Sequence, residues 1–209
     1  MKKVFTLLLF FPFLCFPQFS LEQELDSITT PEEAKYFAKT YKRSNKSKVF
    51  TFNKEKHKTQ LADDLFKLSK GGKKVIKTDY KKTYYKIIEK SEVLHERVSY
   101  IYFDGNNITL KDISTKRSKL MAQYRDGYKF EALAKMHSMD INAKRGGDSG
   151  WFSESQMHTD FEKAVKSHDL GDLFTLDIEE EQSHYIILKT FEPKHIEEIT
   201  LLKFTEAID

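Results

Sequence analysis

Apolar residues in this chain recur with two periods. Leu61, Leu65 and Leu68 fall on one face of a helix over 59–68, and stretches with helical spacing also cover 21–41, 113–124, 129–137 and 159–166. Alternating or short unbroken apolar runs at 49–52, 75–76, 83–88, 97–103 and 185–189 predict strands. Thr30-Pro31-Glu32-Glu33 offers a hydroxyl cap, a proline at the first helical position and acids beside the positive helix end. Gly71-Gly72 stops the helix over 59–68, and Asp104-Gly105-Asn106-Asn107 reads as a turn. Helices and strands mixed in this way predict an α+β protein.

One stretch departs from both periods. Within 143–152, Gly146, Gly147 and Gly150 fall inside five residues, Asp148 sits between them, and the only tryptophan, Trp151, precedes Phe152. Glycine reaches backbone angles closed to other residues, and an aspartate there bonds nearby N–H groups, so this is a shaped turn re-entering the core. Upstream is the amphipathic run Phe130-Glu-Ala-Leu-Ala-Lys-Met-His-Ser-Met-Asp140. Downstream come Gln156-Met157, Phe161-Glu-Lys-Ala164, Leu170-Gly171 and the strand Ser183-His-Tyr-Ile-Ile-Leu188. Taken together, over residues 97–191, these spacings resemble the parvulin family of peptidyl-prolyl cis/trans isomerases.

The resemblance implies a small, mostly antiparallel four-stranded sheet flanked by helices. It places the proline-ring pocket at Met157, Phe161 and Ser149, with Phe152 closing the turn and His158 beside the pocket. Asp140, seven residues before Gly147, falls at the family's central acid or thiol. The family's two buried histidines fall on Tyr100 and Tyr185; His184 is one place early, on the opposite face of its strand unless a bulge intervenes. Tyrosines supply hydroxyls for a buried network with Asp140 but do not titrate near neutral pH. Ser149 makes the expected pocket more polar. No basic cluster follows the first strand, so no phosphoserine-proline preference is expected. The implied substrates are unfolded or extended polypeptides with X-Pro bonds, with isomerisation assisting secreted or outer-membrane proteins to fold. A catalytically weak peptide-binding chaperone is the alternative. The reaction implies no metal and no cofactor.

A shift of 100 residues aligns Phe52 with Phe152, Thr59 with Thr159, Gly71 with Gly171 and 85–88 with 185–188. We therefore expect a smaller, degenerate parvulin-like unit over 19–92, the parvulin-like domain over 93–192 and a tail over 193–209; a chance match of two amphipathic stretches is the competing reading. The early segment lacks the Gly-Gly-Asp turn.

Charge divides along the chain, with 18 Lys/Arg against 7 Asp/Glu over 31–90 and 15 against 22 over 91–209. The basic part suits an acidic partner or membrane surface, or simply a solvated lysine-rich face. Lysines spread through helices, with no aromatic RNA-binding motif, argue against a nucleic-acid partner. Met1-Lys2-Lys3 before an apolar run to about Phe16 reads as a signal peptide over 1–18, which sends the chain to the periplasm or another extracytoplasmic space. A retained inner-membrane anchor fits the same pattern, although the run is short for a span of about 20 residues. Cleavage would leave no integral membrane span and no cysteine, hence no internal disulfide.

Overall fold

The computed structural model describes residues 21–41 and 47–208; the segment 1–18, read above as a signal sequence or anchor, lies outside the described residues. In chain order the elements are α1 (Leu21–Ser27), α2 (Pro31–Thr40), β1 (Ser47–Asn53), α3 (Gln60–Phe66), β2 (Lys73–Lys77), β3 (Lys81–His95) and β4 (Val98–Asp104). Then follow α4 (Leu110–Arg125), α5 (Phe130–His137), a 3-10 turn (Ile141–Arg145), α6 (Thr159–Lys166), β5 (Leu173–Ile178), a 3-10 turn (Glu179–Glu181), β6 (Ser183–Lys189) and β7 (Lys194–Ala207). They form two compact units. The first takes its described residues from 21–50, 69–89 and 201–208, the second from 51–68 and 90–200.

In the first unit the helical stretch over 21–41 is two helices, α1 and α2, the second starting at the Thr30-Pro31 signal. The Thr30 hydroxyl accepts the Glu33 N–H at 3.2 Å, while the Glu33 carboxylate accepts the N–H groups of Thr29 and Thr30 at 2.7 and 3.0 Å. This reciprocal cap starts a new helix at Pro31. Lys86 closes α1 by donating to the carbonyls of Leu25 and Asp26 at 2.7 and 2.8 Å. Burial holds its ammonium below the usual lysine range. The sheet order is β1-β7-β3-β2. Leu25, Ile28, Ala34 and Phe37 of the helical layer pack with Tyr84, Ile88, Leu202 and Phe204. Residues 194–207, set apart as a tail in the sequence reading, are therefore a strand, and its end supplies two core side chains.

In the second unit β4, β6 and β5 form an antiparallel sheet in that order, with Tyr102 opposite Tyr185 and Tyr100 opposite Ile187. Alternation sorts its residues between two layers. Ile101, Phe103, Ile186 and Leu188 pack with Ile113, Leu120, Phe130 and Leu133 of α4 and α5. Val98, Tyr100, Ile187, Phe174 and Ile178 pack with Phe161 and Val165 of α6 and with Phe152. Beside this sheet Asp148 and Phe152 make isolated antiparallel bridges to Ser99 and Glu96. The α+β class with helix-flanked antiparallel sheets holds.

Two lysines in this unit end helices in the same manner. Lys189 donates to the Val165 carbonyl at the end of α6 and to the buried Glu96 carboxylate, both at 2.8 Å. Lys90 donates to the carbonyls of Phe66, the last residue of α3, and Leu68, at 2.7 and 3.1 Å, and pairs with Glu197 at 2.9 Å. Each ammonium satisfies carbonyls that the helix leaves open and is neutralised where it sits. Among the described residues no helix is long and apolar enough to cross a membrane.

Candidate functional site

The glycine turn is held against β4. Tyr100 N–H donates to the Gly147 carbonyl at 2.9 Å, and Ser149 N–H to that of Val98 at 3.0 Å. Gly147 has φ +79°, and a Cβ there would stand 2.2 Å from the Tyr100 carbonyl oxygen. Both the backbone angle and the close approach require glycine. Arg97 grips the turn from the side, its Nε and one terminal nitrogen reaching the two oxygens of Asp148 at 2.9 and 2.7 Å. Burial raises the Asp148 pKa, but Arg97 and the Gly150 N–H outweigh it and hold the carboxyl below its usual range. The Arg97 guanidinium also lies 4.5 Å from the centroid of Phe191 and 5.8 Å from that of Trp151.

Anchoring the turn sets the distance between Asp140 and β4. Tyr100 donates its hydroxyl proton to Asp140 Oδ2 at 2.9 Å, and the Asn142 N–H donates to Asp140 Oδ1 at 2.7 Å. The Asn142 side-chain amide donates to the Tyr100 hydroxyl, and Arg145 donates to the Asn142 side-chain oxygen. Beneath this network is an aromatic floor. Phe161 meets Tyr185 at 5.3 Å between centroids, Tyr100 at 5.8 Å and Phe152 at 6.0 Å, all edge-on. Tyr102 lies 5.3 Å from Tyr185. Burial pushes the Tyr100 and Tyr185 hydroxyls above the ordinary tyrosine pKa, so both are neutral at physiological pH.

Met157, half-buried, packs at the edge of this floor. Glu162 sets its loop, its carboxylate accepting the N–H groups of Ser155, Gln156 and Met157 at 3.2, 3.1 and 3.0 Å. Burial opposes the charge, yet the three donors prevail and keep the carboxyl below its usual range.

The structure thus brings together Tyr100, Asp140, Phe152, Met157, Phe161 and Tyr185. The Ser149 hydroxyl accepts the Val98 N–H at 3.1 Å and donates to the Gly150 carbonyl at 2.8 Å, so it also pins the turn to β4. His158 caps α6 through Nδ1, which accepts the Asp160 N–H at 3.2 Å, and its Nε2 lies 3.3 Å from Glu180. Ligand atoms of His158, Asp160 and Glu180 lie within 4.8 Å of one another. The cap requires a bare Nδ1 and hence the proton on Nε2, whereas a ligating imidazole binds metal through one nitrogen and donates from the other. In this arrangement His158 caps α6 and donates Nε2–H to Glu180.

His184 points to the opposite side of the regular β6 ladder from Tyr185. It is buried there, with Nδ1 2.6 Å from Asp177 Oδ1, and Arg117 reaches the same oxygen at 2.8 Å. No bulge restores it to the groove. Asn142 and Glu162 were not singled out from the sequence. An amide two residues after Asp140 and an acid in the first turn of α6 were the available signals.

Comparison with known proteins finds relatives by sequence. The chain is 33% identical over 82 residues to the Chaperone SurA of Thiobacillus denitrificans, a match covering 39% of this chain and 19% of that protein. It is 42% identical over 67 residues to the Foldase protein PrsA of Bacillus subtilis, covering 32% of this chain and 23% of the relative. The chain therefore spans about a fifth of the length of these curated relatives. The crystal structure of PrsA from Bacillus subtilis matches 47% of this chain and 35% of its own, with 31% identity and a TM-score of 0.39. The model of the PPIC-type PPIase domain matches residues 83–194, more than half of the sequence, and the chain belongs to that family.

Proposed function

We propose that the second unit is a peptidyl-prolyl isomerase that acts on X-Pro bonds of unfolded or extended polypeptides, outside the cytoplasm, to assist secreted or outer-membrane proteins. The observation that carries this reading is the Tyr100–Asp140 hydrogen bond set over the Phe161 floor. Rotation about the imide is slow because resonance holds it planar, with a barrier of about 18–20 kcal/mol. That resonance also places extra negative charge on the carbonyl oxygen. A carboxylate facing that oxygen disfavours the planar form more than the twisted one, and this difference is what accelerates rotation. Met157 and Phe161 supply an apolar seat for the ring. The Tyr100 phenol orients the polar groups, and neither it nor the Tyr185 phenol ionises near neutral pH. The basic, apolar start of the sequence supports export.

A peptide-binding chaperone with weak or no isomerase activity is the second reading, favoured by Tyr100 and Tyr185 standing where the family carries histidines. Exchange NMR on a panel of Xaa-Pro peptides separates the two. The isomerase reading expects faster cis/trans exchange with wild type and a loss of about tenfold or more in Asp140→Ala. Binding of unfolded protein without any acceleration would support the chaperone.

A further inference from the structure

Tyr100 has one hydroxyl proton, and the direction in which it points decides whether Asp140 receives it. The neighbouring groups fix that direction. Arg145 is a donor only, so the atom of Asn142 that it reaches is the acceptor end of the amide. The donor end then faces the Tyr100 oxygen. With that oxygen receiving a proton from Asn142, its own proton goes to Asp140 at 2.9 Å. The main-chain N–H of Asn142 meets the other oxygen of Asp140 at 2.7 Å. Both contacts of Asp140 thus depend on the residue that follows it by two. The side-chain bonds of Asn142 run to Tyr100 and Arg145, and the ring seat proposed above is the apolar pair Met157 and Phe161.

We infer that Asn142, oriented by Arg145, is a positioning residue for the isomerisation: it directs the Tyr100 hydroxyl onto Asp140 and so holds the carboxylate where the imide carbonyl turns. The inference rests on the isomerase reading above. Donors run in one direction, from Arg145 through Asn142 and Tyr100 to Asp140, and hydrogen bonds aligned in this way reinforce one another. Asparagine suits the position because its amide both accepts and donates. Leucine offers neither. Aspartate offers only acceptors and places a second carboxylate beside the first, and two such groups do not both ionise freely.

The test compares wild type, Asn142→Leu, Asn142→Asp and Arg145→Ala by exchange NMR on one Xaa-Pro peptide between pH 5 and pH 8, with peptide Kd measured in parallel. Asn142→Leu should slow catalysed exchange about tenfold or more at every pH, with Kd within about threefold of wild type, because polar positioning is lost and the ring seat is not. Asn142→Asp should lose activity relative to wild type progressively as pH rises and its shared proton leaves. Arg145→Ala should fall between Asn142→Leu and wild type. A second readout is independent of turnover: the Asn142 side-chain amide protons should shift in Tyr100→Phe and in Arg145→Ala. Wild type without acceleration overturns the isomerase reading itself. Wild type that accelerates, with Asn142→Leu within twofold of it, or with Asn142→Asp tracking Asn142→Leu at all pH values, overturns the inference.

Discussion

The hydroxyl of Tyr100 donates to Asp140 Oδ2 across 2.9 Å, joining β4 to the start of the 3-10 turn. Burial raises the Tyr100 pKa above its ordinary value of 10.0, and the Asp140 charge adds to that shift. A group whose folded pKa is raised contributes stability that is complete below the unfolded pKa and is lost as pH rises through the folded one. Tyr100 should therefore stay neutral through pH 10 and ionise only as the unit unfolds in alkali. Tyrosine absorbance followed against pH, beside circular dichroism, checks this. Tyr100→Phe should remove the coupled part of the signal, and early, reversible ionisation of Tyr100 in the folded protein would contradict the assignment.

Glu162 makes the complementary prediction in acid. Its folded pKa lies below 4.5, so its contribution is present above that value and lost as pH falls through the folded pKa. Glu162→Gln should loosen 155–157 and lower stability by about 1.5–3 kcal/mol, the range for hydrogen bonds to a charged acceptor. Denaturant melts at pH 7 and pH 3.5 should differ less in the variant than in wild type. Peptide binding should weaken with the displaced Met157.

Gly147→Ala tests the close approach of turn and strand. The added methyl would sit 2.2 Å from the Tyr100 carbonyl oxygen at a φ of +79°. Strain and displacement together should cost about 2 kcal/mol or more. Gly150→Ala is the control: its φ of +69° is similarly unfavourable, but its Cβ meets nothing within 4 Å, so the loss should be about 1 kcal/mol. Equal melting temperatures for the two variants would show that the turn is not pressed onto β4.

The strand β7 predicts a dependence of the first unit on the end of the chain. Leu202 and Phe204 are both buried among Leu25, Phe37, Tyr84 and Ile88. Leu202→Ala should destabilise that unit by about 2–5 kcal/mol and Phe204→Ala by about 3–5 kcal/mol. Hydrogen exchange should show α1, α2 and β3 losing protection. Unchanged protection there would remove β7 from the core.

What was legible in the sequence follows from what each signal encodes. Thr30-Pro31 and Thr59 mark helix starts through local hydrogen bonds, so they can be read without the fold. Strict alternation placed Tyr100 and Tyr185 on one side and His184 on the other, and the regular β4–β6 register confirms it. β7 defeats the same reading, because Leu201 and Leu202 are adjacent and both buried, which breaks a period of two. The bond from the Ser149 hydroxyl to backbone 51 residues away is a long-range contact that no local pattern encodes. Lys86, counted in the basic part over 31–90, and Lys189 are both buried on helix-terminal carbonyls, a use that composition cannot reveal.

The central claim is that this groove accelerates rotation about an X-Pro bond, and exchange NMR on the wild-type chain with an Ala-Pro and a Phe-Pro peptide tests it most directly. The account predicts cis/trans exchange faster than the uncatalysed rate, which is tens of seconds or slower at 25 °C, with Asp140→Ala and Phe161→Ala both returning it toward that rate. Exchange at the uncatalysed rate with saturating wild-type protein would contradict it.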